Sequence, residues 1–107
     1  MKAMRAHKFG RPEELRFEDV REPQVQAGQV KTSVRAARIN PVDLERLAGR
    51  CPGLPLLYIL GTDVCGEVEE ASAGVSLKEG DRVFGRAHQG GYAEKTCTPR
   101  ARRSHCP

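Results

Sequence analysis

The chain has 107 residues, 38% of them apolar and 30% charged, with a mean hydropathy of −0.55; that suits one small domain with a modest core and excludes two. No apolar run approaches the roughly 20 residues that span a bilayer, and Met1-Lys2-Ala3-Met4-Arg5 leads into no signal-like stretch, so a soluble, cytoplasmic protein with no membrane partner is expected. The net charge of +4 is uneven: all 14 acidic residues, and 14 of the 18 basic ones, lie at or before Glu94, so the body is neutral and the excess sits in Lys95, Arg100, Arg102 and Arg103.

Lys2 to Phe9 reads as a first strand, closed by the turn Gly10-Arg11-Pro12-Glu13, with Leu15 to Val20 as its hairpin partner. Val30 to Ala36 alternates in the strand period, with Val30, Thr32, Val34 and Ala36 as the inward set. At Asn40-Pro41-Val42-Asp43 the pattern changes. Asn40 suits a helix N-cap, Pro41 the first helical position, and Asp43 the positive end of the helix dipole. A short helix over Val42 to Ala48 is predicted, stopped by Gly49. Cys51 to Pro55 reads as a loop and Leu56 to Leu60 as a brief apolar run.

Thr62 to Glu70 alternates again, with Val64, Gly66 and Val68 on one face and Cys65, Glu67 and Glu69 on the other. Turns follow at Ala71 to Gly74 and Leu77 to Asp81, then a short strand at Arg82 to Gly85 and the start of another at Gly90 to Glu94. From Lys95 the chain has no period, no branched aliphatic residue and no aromatic. Residues 95–107 are expected to form a disordered basic tail, or to be an out-of-frame or alternatively spliced segment, because they offer too little apolar area to offset the entropy of ordering.

Cys51, Cys65, Cys97 and Cys106 form no Cys-x-x-Cys pair, which removes a zinc ribbon; without a secretory context a disulfide scaffold is not expected either. His7, His88 and His105 have no partner motif and read as surface residues.

Five ordered stretches together resemble one family: Met4-Arg5-Ala6 through Phe9-Gly10 and Pro12-Glu13; Ala36-Ala37-Arg38-Ile39-Asn40-Pro41-Val42-Asp43; Gly61-Thr62-Asp63-Val64-Cys65-Gly66-Glu67-Val68; Lys78-Glu79-Gly80-Asp81-Arg82-Val83-Phe84; and Gly90-Gly91-Tyr92-Ala93-Glu94. They are similar to the zeta-crystallin-type quinone oxidoreductases of the medium-chain dehydrogenase/reductase superfamily, over residues 1–94. The resemblance implies a mainly β, partial GroES-like barrel with one or two short helices, followed in full-length relatives by a Rossmann domain that binds NADPH. Neither a Gly-x-Gly-x-x-Gly element after a strand nor room for a βαβ unit of about 30 residues is found here. The expectation is a truncated GroES-like catalytic domain that binds NADPH weakly or not at all and is inactive alone.

Zinc-dependent relatives carry a cysteine where Asn40 falls and Gly-His-Glu where Gly61-Thr62-Asp63 falls. Asn40 and Thr62 are poor ligands for zinc, so no metal is expected. By resemblance Asn40 lies beside the nicotinamide and the acceptor, as catalytic and cofactor-binding residue, offering an amide donor; its local reading is a helix N-cap, and the two are compatible. Asp43 joins it as a cofactor-binding candidate, although a first-turn helix role is the preferred reading over that of a catalytic base. Arg38, Tyr58 and Thr62 are the substrate-pocket candidates. Arg38 stands where the family is small and either attracts an anionic group or points to solvent; Tyr58 either reaches the cleft or covers the core. Asp63 reads as a turn residue and Tyr92 as packing in the last strand. Two tyrosines that line the quinone pocket in the family fall at about Glu45 and Cys51, neither of which stacks on a flat ring. The expected ligand is a quinone or enone. The competing readings are a weak RNA-binding module driven by the basic tail, association with a like or unlike chain through an open barrel edge, and a non-functional product.

Overall fold

The computed structural model describes residues 1–51, 56–87 and 90–103. Lys2–Ala6 (β1) and Arg16–Asp19 (β2) form the predicted hairpin, in register from Lys2↔Asp19 to Arg5↔Arg16. β1 ends three residues before Phe9, and the connection contains one turn of 3₁₀ helix at Pro12–Glu14. Gln29–Ala37 (β3) is followed by the helix Pro41–Leu47 (α1), which Gly49 terminates at φ +81°, a conformation that costs glycine little. Tyr58–Ile59 (β4) completes a three-stranded sheet in the order β2-β1-β4. The loop expected over Cys51 to Pro55 lies, beyond Cys51, outside the described residues.

Asp63–Ala71 (β5), Arg82–Arg86 (β6), Lys95–Pro99 (β7) and Arg102–Arg103 (β8) join β3 in a second sheet, ordered β7-β3-β5-β6-β8. Every pairing between these strands is antiparallel, so no βαβ unit exists among the described residues. No helix among them is long and apolar enough to cross a membrane. Val64, Gly66 and Val68 are buried along β5, as the alternation predicts.

The inward set of β3 is only half realised. Val30 and Thr32 are buried, Val34 is half-buried and Ala36 is exposed. The cause is a bulge: Val34 faces Gly66 and Ala36 faces the very next residue, Cys65, so Arg35 is extra. One inserted residue reverses the side-chain parity of everything after it.

The expected disorder from Lys95 is overturned. Residues 90–94 make only an isolated bridge, Ala93 to Ala3, and the strand begins at Lys95, where disorder was predicted. β7 pairs with β3 from Gln29↔Pro99 to Ser33↔Lys95, and Thr96, Cys97 and Thr98 are each about as buried as any core valine. Threonine is β-branched and suits a pleated strand. The Thr98 hydroxyl is tolerated because it pairs with that of Thr32 at 3.1 Å, whereas Thr96 Oγ1 has no partner among the described residues. Lys95 is anchored between Glu22 and Glu69. Of the segment 95–107, residues 104–107, including His105 and Cys106, lie outside the described residues.

β7 and β8 sit at opposite edges of the sheet, yet only Arg100 and Ala101 separate them. Three Cα steps span at most about 11 Å, so the sheet curls until its edges approach. β7 and β8 are not paired with each other, so each remains an edge strand of the curled sheet. Two small cores result. Val30, Val68 and Val83 pack inside the curl with Val75, Leu77 and Ala101, while Ala6, Leu47 and Leu60 pack beneath α1 with Leu15, Tyr58 and Tyr92.

Candidate active site

The α1 N-terminus is where β3, β5 and the 90–92 bend converge. Asn40 is extended, at φ −111° and ψ 153°, and Pro41 opens the helix. Asn40 and Asp43 pair as a capping box, whose well-formed arm runs from the Asn40 N–H to Asp43 Oδ2 at 2.9 Å. The Asp43 N–H goes to the Asn40 main-chain carbonyl at 3.0 Å.

This frees the Asn40 carboxamide to look the other way. Its Nδ2 donates to Thr62 Oγ1 at 3.1 Å and to Asp63 Oδ2 at 2.9 Å. A carboxylate only accepts, so the NH2 must face Asp63. Both amide protons are thus engaged within the corner, and the Asn40 oxygen is what remains for a ligand. Thr62 is buried, and its carbonyl receives Ala87 N–H at 2.7 Å. It stands behind Asn40 as an orienting group.

Asp43 is 2% exposed. Its Oδ2 also accepts from the Tyr92 hydroxyl at 3.0 Å, and its Oδ1 has no partner among the described residues. Burial, reinforced by the Asp43 carboxylate, pushes the Tyr92 phenol up to about 12. Tyr92 is therefore a permanent donor near neutrality. It reaches this position because glycines bring the bend close. A Cβ on Gly61, at φ +101°, would lie 2.7 Å from the Tyr92 ring and 2.9 Å from Gly91 N. The Tyr92 and Gly91 N–H groups bond Leu60 and Gly61 carbonyls, each at 2.9 Å.

Of the predicted site residues, the structure brings Asn40, Asp43 and Thr62 together. Arg38 lies beside them, its N–H bonded to the Asp63 carbonyl at 2.9 Å and its exposed side chain lining an adjoining pocket. Tyr58 is not among that pocket's lining residues; it packs on the Leu47–Leu60 core, its hydroxyl accepting from Arg46 at 3.2 Å. Glu45 is exposed and paired with Arg50. His7 is half-buried against Glu18. Sequence reasoning missed the site roles of Asp63 and Tyr92. The one available signal was Gly90-Gly91 ahead of Tyr92, a pair that permits close backbone approach.

Residues 26–106 match the family described as the alcohol dehydrogenase GroES-like domain, a match that runs through β7 and β8. The chain is similar to the quinone oxidoreductase of Rattus norvegicus, 44% identical over a 100-residue alignment that covers 88% of this chain and 30% of that protein. The quinone oxidoreductase of Coxiella burnetii superposes with a TM-score of 0.86 at 32% identity, covering 96% of this chain and 36% of that one. That of Escherichia coli, solved with NADPH, gives 0.89 at 26% identity, covering 96% of this chain and 33% of that one. The chain thus spans about 30% of the curated relatives it matches.

Proposed function

Because this chain belongs to the alcohol dehydrogenase GroES-like domain family, we propose that its Asn40 corner is the acceptor side of a zinc-independent, zeta-crystallin-type, NADPH-dependent quinone or enone reductase, acting in the cytoplasm. The observation that carries this reading is the locked Asn40 carboxamide, fixed by Thr62 and Asp63 at the mouth of a capped helix. Exposed Ile39 and Leu44, 76% and 51% accessible, flank it as apolar surface that fits a flat ring.

The residues present fit the nicotinamide end of the cofactor and not the rest. A dinucleotide's pyrophosphate wants a helix N-terminus that follows a parallel strand, and no such element occurs among the described residues. When bound, the nicotinamide supplies a hydride. The chain's own contribution is positional: Asn40 presents a fixed oxygen, Thr62 and Asp63 hold it, and Tyr92 with Asp43 keeps the helix end from shifting. The donor set Asn40, Thr62 and Asp63 is ill-suited to zinc, which supports hydride transfer without a metal.

Inactivity of these residues alone follows from the missing pyrophosphate cradle. Titrating NADPH into the purified chain while following nicotinamide fluorescence is expected to give no saturable binding, and quinone addition no NADPH oxidation. Saturable micromolar binding with turnover overturns the division of labour proposed here.

A further inference from the structure

The bulge that exposes Ala36 also creates a face that the Asn40 corner does not use. Ala36, Cys65, Phe84 and Arg102 are successive cross-strand partners on β3, β5, β6 and β8, so their side chains form one row on one side of the sheet. Two residues along each strand, the next row on the same side contains Arg38, Asp63 and Arg86, with Asp63 opposite Arg86. The β7–β8 bend adds Arg100 at the rim. Together these rows line a pocket of about 840 Å³, the size of an ordinary small-molecule site.

Its chemistry is two-sided. The floor is apolar, with Phe84 48% exposed and Pro99 beside it. The walls hold four guanidiniums, Arg38, Arg86, Arg100 and Arg102, against one carboxylate, Asp63, which already accepts from Asn40. Among the described residues none of these arginine side chains has an ion pair or a hydrogen bond. Elsewhere on the sheet Arg35 meets Glu67 and Arg103 meets Asp81, and exposed Arg82 stands alone rather than in a cluster. Arg100 is moreover the one described non-glycine residue at positive φ, 54°, a strained setting that structure rarely retains for a long side chain.

We propose that this pocket binds a small amphiphilic anion: a flat apolar body lying on Phe84, with a carboxylate, sulfonate or phosphate held by the arginines. Guanidiniums bind such oxyanions bidentately, and the anion relieves the mutual repulsion of unpaired cations. The proposal stands on the sheet face and does not rest on hydride transfer.

The test is fluorescence titration of the full chain with anilinonaphthalene sulfonate and with its uncharged counterpart, phenylnaphthylamine. The sulfonate is expected to bind more tightly, and inorganic phosphate to compete. Arg86→Gln combined with Arg102→Gln should weaken the sulfonate about tenfold or more, as loss of charged hydrogen bonds implies, leaving the neutral probe unchanged. Arg100→Asn separates ligand from scaffold, because asparagine tolerates positive φ: it should keep the melting temperature and weaken the sulfonate. Arg16→Gln on β2 is the control. Equal affinity for both probes, an Arg100→Asn variant that binds like the parent, or losses no larger than with Arg16→Gln each overturn the proposal. Displacement by short RNA at lower concentration than phosphate overturns the small-molecule assignment.

Discussion

Around Asn40, side chains from α1, the start of β5 and the 90–92 bend satisfy one another directly: Asn40 with Thr62 and Asp63, Asp43 with Tyr92. β7 and β8 are held differently, by ladder bonds to β3 and β6 and by the burial of Thr96, Cys97 and Thr98. The contrast separates two kinds of dependence. Damage to the corner is specific to one atom and leaves the sheet standing; damage to the β7–β8 segment removes a strand partner from β3 and uncurls the sheet over the Val30–Val68–Val83 core.

The largest effect sharpens that contrast. Deleting residues 95–107 should abolish cooperative thermal unfolding followed by circular dichroism, a loss of about 4 kcal/mol or more, as expected when a core strand goes. An unchanged melt would mean that these residues contribute nothing to the fold.

Next in size is Asp43→Ala. It strips the Asn40 N–H and the Tyr92 hydroxyl of their shared acceptor, at a cost of about 3 kcal/mol for buried groups left unpaired, while the sheet's far-UV signal persists below the transition. A third experiment breaks the symmetry within β7. Thr98 shares its hydroxyl with Thr32, so Thr98→Val should cost about 1 kcal/mol. Thr96 Oγ1 is buried without a partner, so Thr96→Val should gain about as much. Chemical denaturation reads both signs, and equal signs would contradict the burial assigned to this strand.

The smallest effect belongs to Tyr92. Its folded-state value of about 12, against an ordinary 10.0, means that folding favours the neutral phenol. That stabilisation is complete below about pH 10 and is lost as pH rises through about 12. Tyr92→Phe should lower stability by about 1 kcal/mol and flatten this alkaline decline. A parallel decline in the variant would assign it to other groups.

How much of this was legible differs between the two regions for the same reason. Asn40, Pro41 and Asp43 announce a helix start within four residues, and the motif order around them carries the resemblance. The partners that give Asn40 its orientation come 22 and 23 residues later, and Tyr92 is 49 residues from Asp43; no local period links them. The burial of β7 is not legible in its aliphatic content, which is nil. Threonine's branching and the Thr32–Thr98 pair let a polar strand go inside, and the partner strand that rewards this lies more than 60 residues away. The bulge at Arg35 was equally invisible, since it is defined by where β5 pairs and leaves the alternation of β3 intact.

If the Asn40 corner serves hydride transfer, supplying a dinucleotide domain should make it active. The direct measurement is NADPH oxidation by a simple quinone in a chimera that joins residues 1–103 to the cofactor domain of a full-length quinone oxidoreductase, with NADPH binding checked by fluorescence. The chimera is predicted to turn over, and Asn40→Ala to slow it about 100-fold, the scale of lost positioning. A folded, NADPH-binding chimera without turnover, or one indifferent to Asn40→Ala, would contradict it.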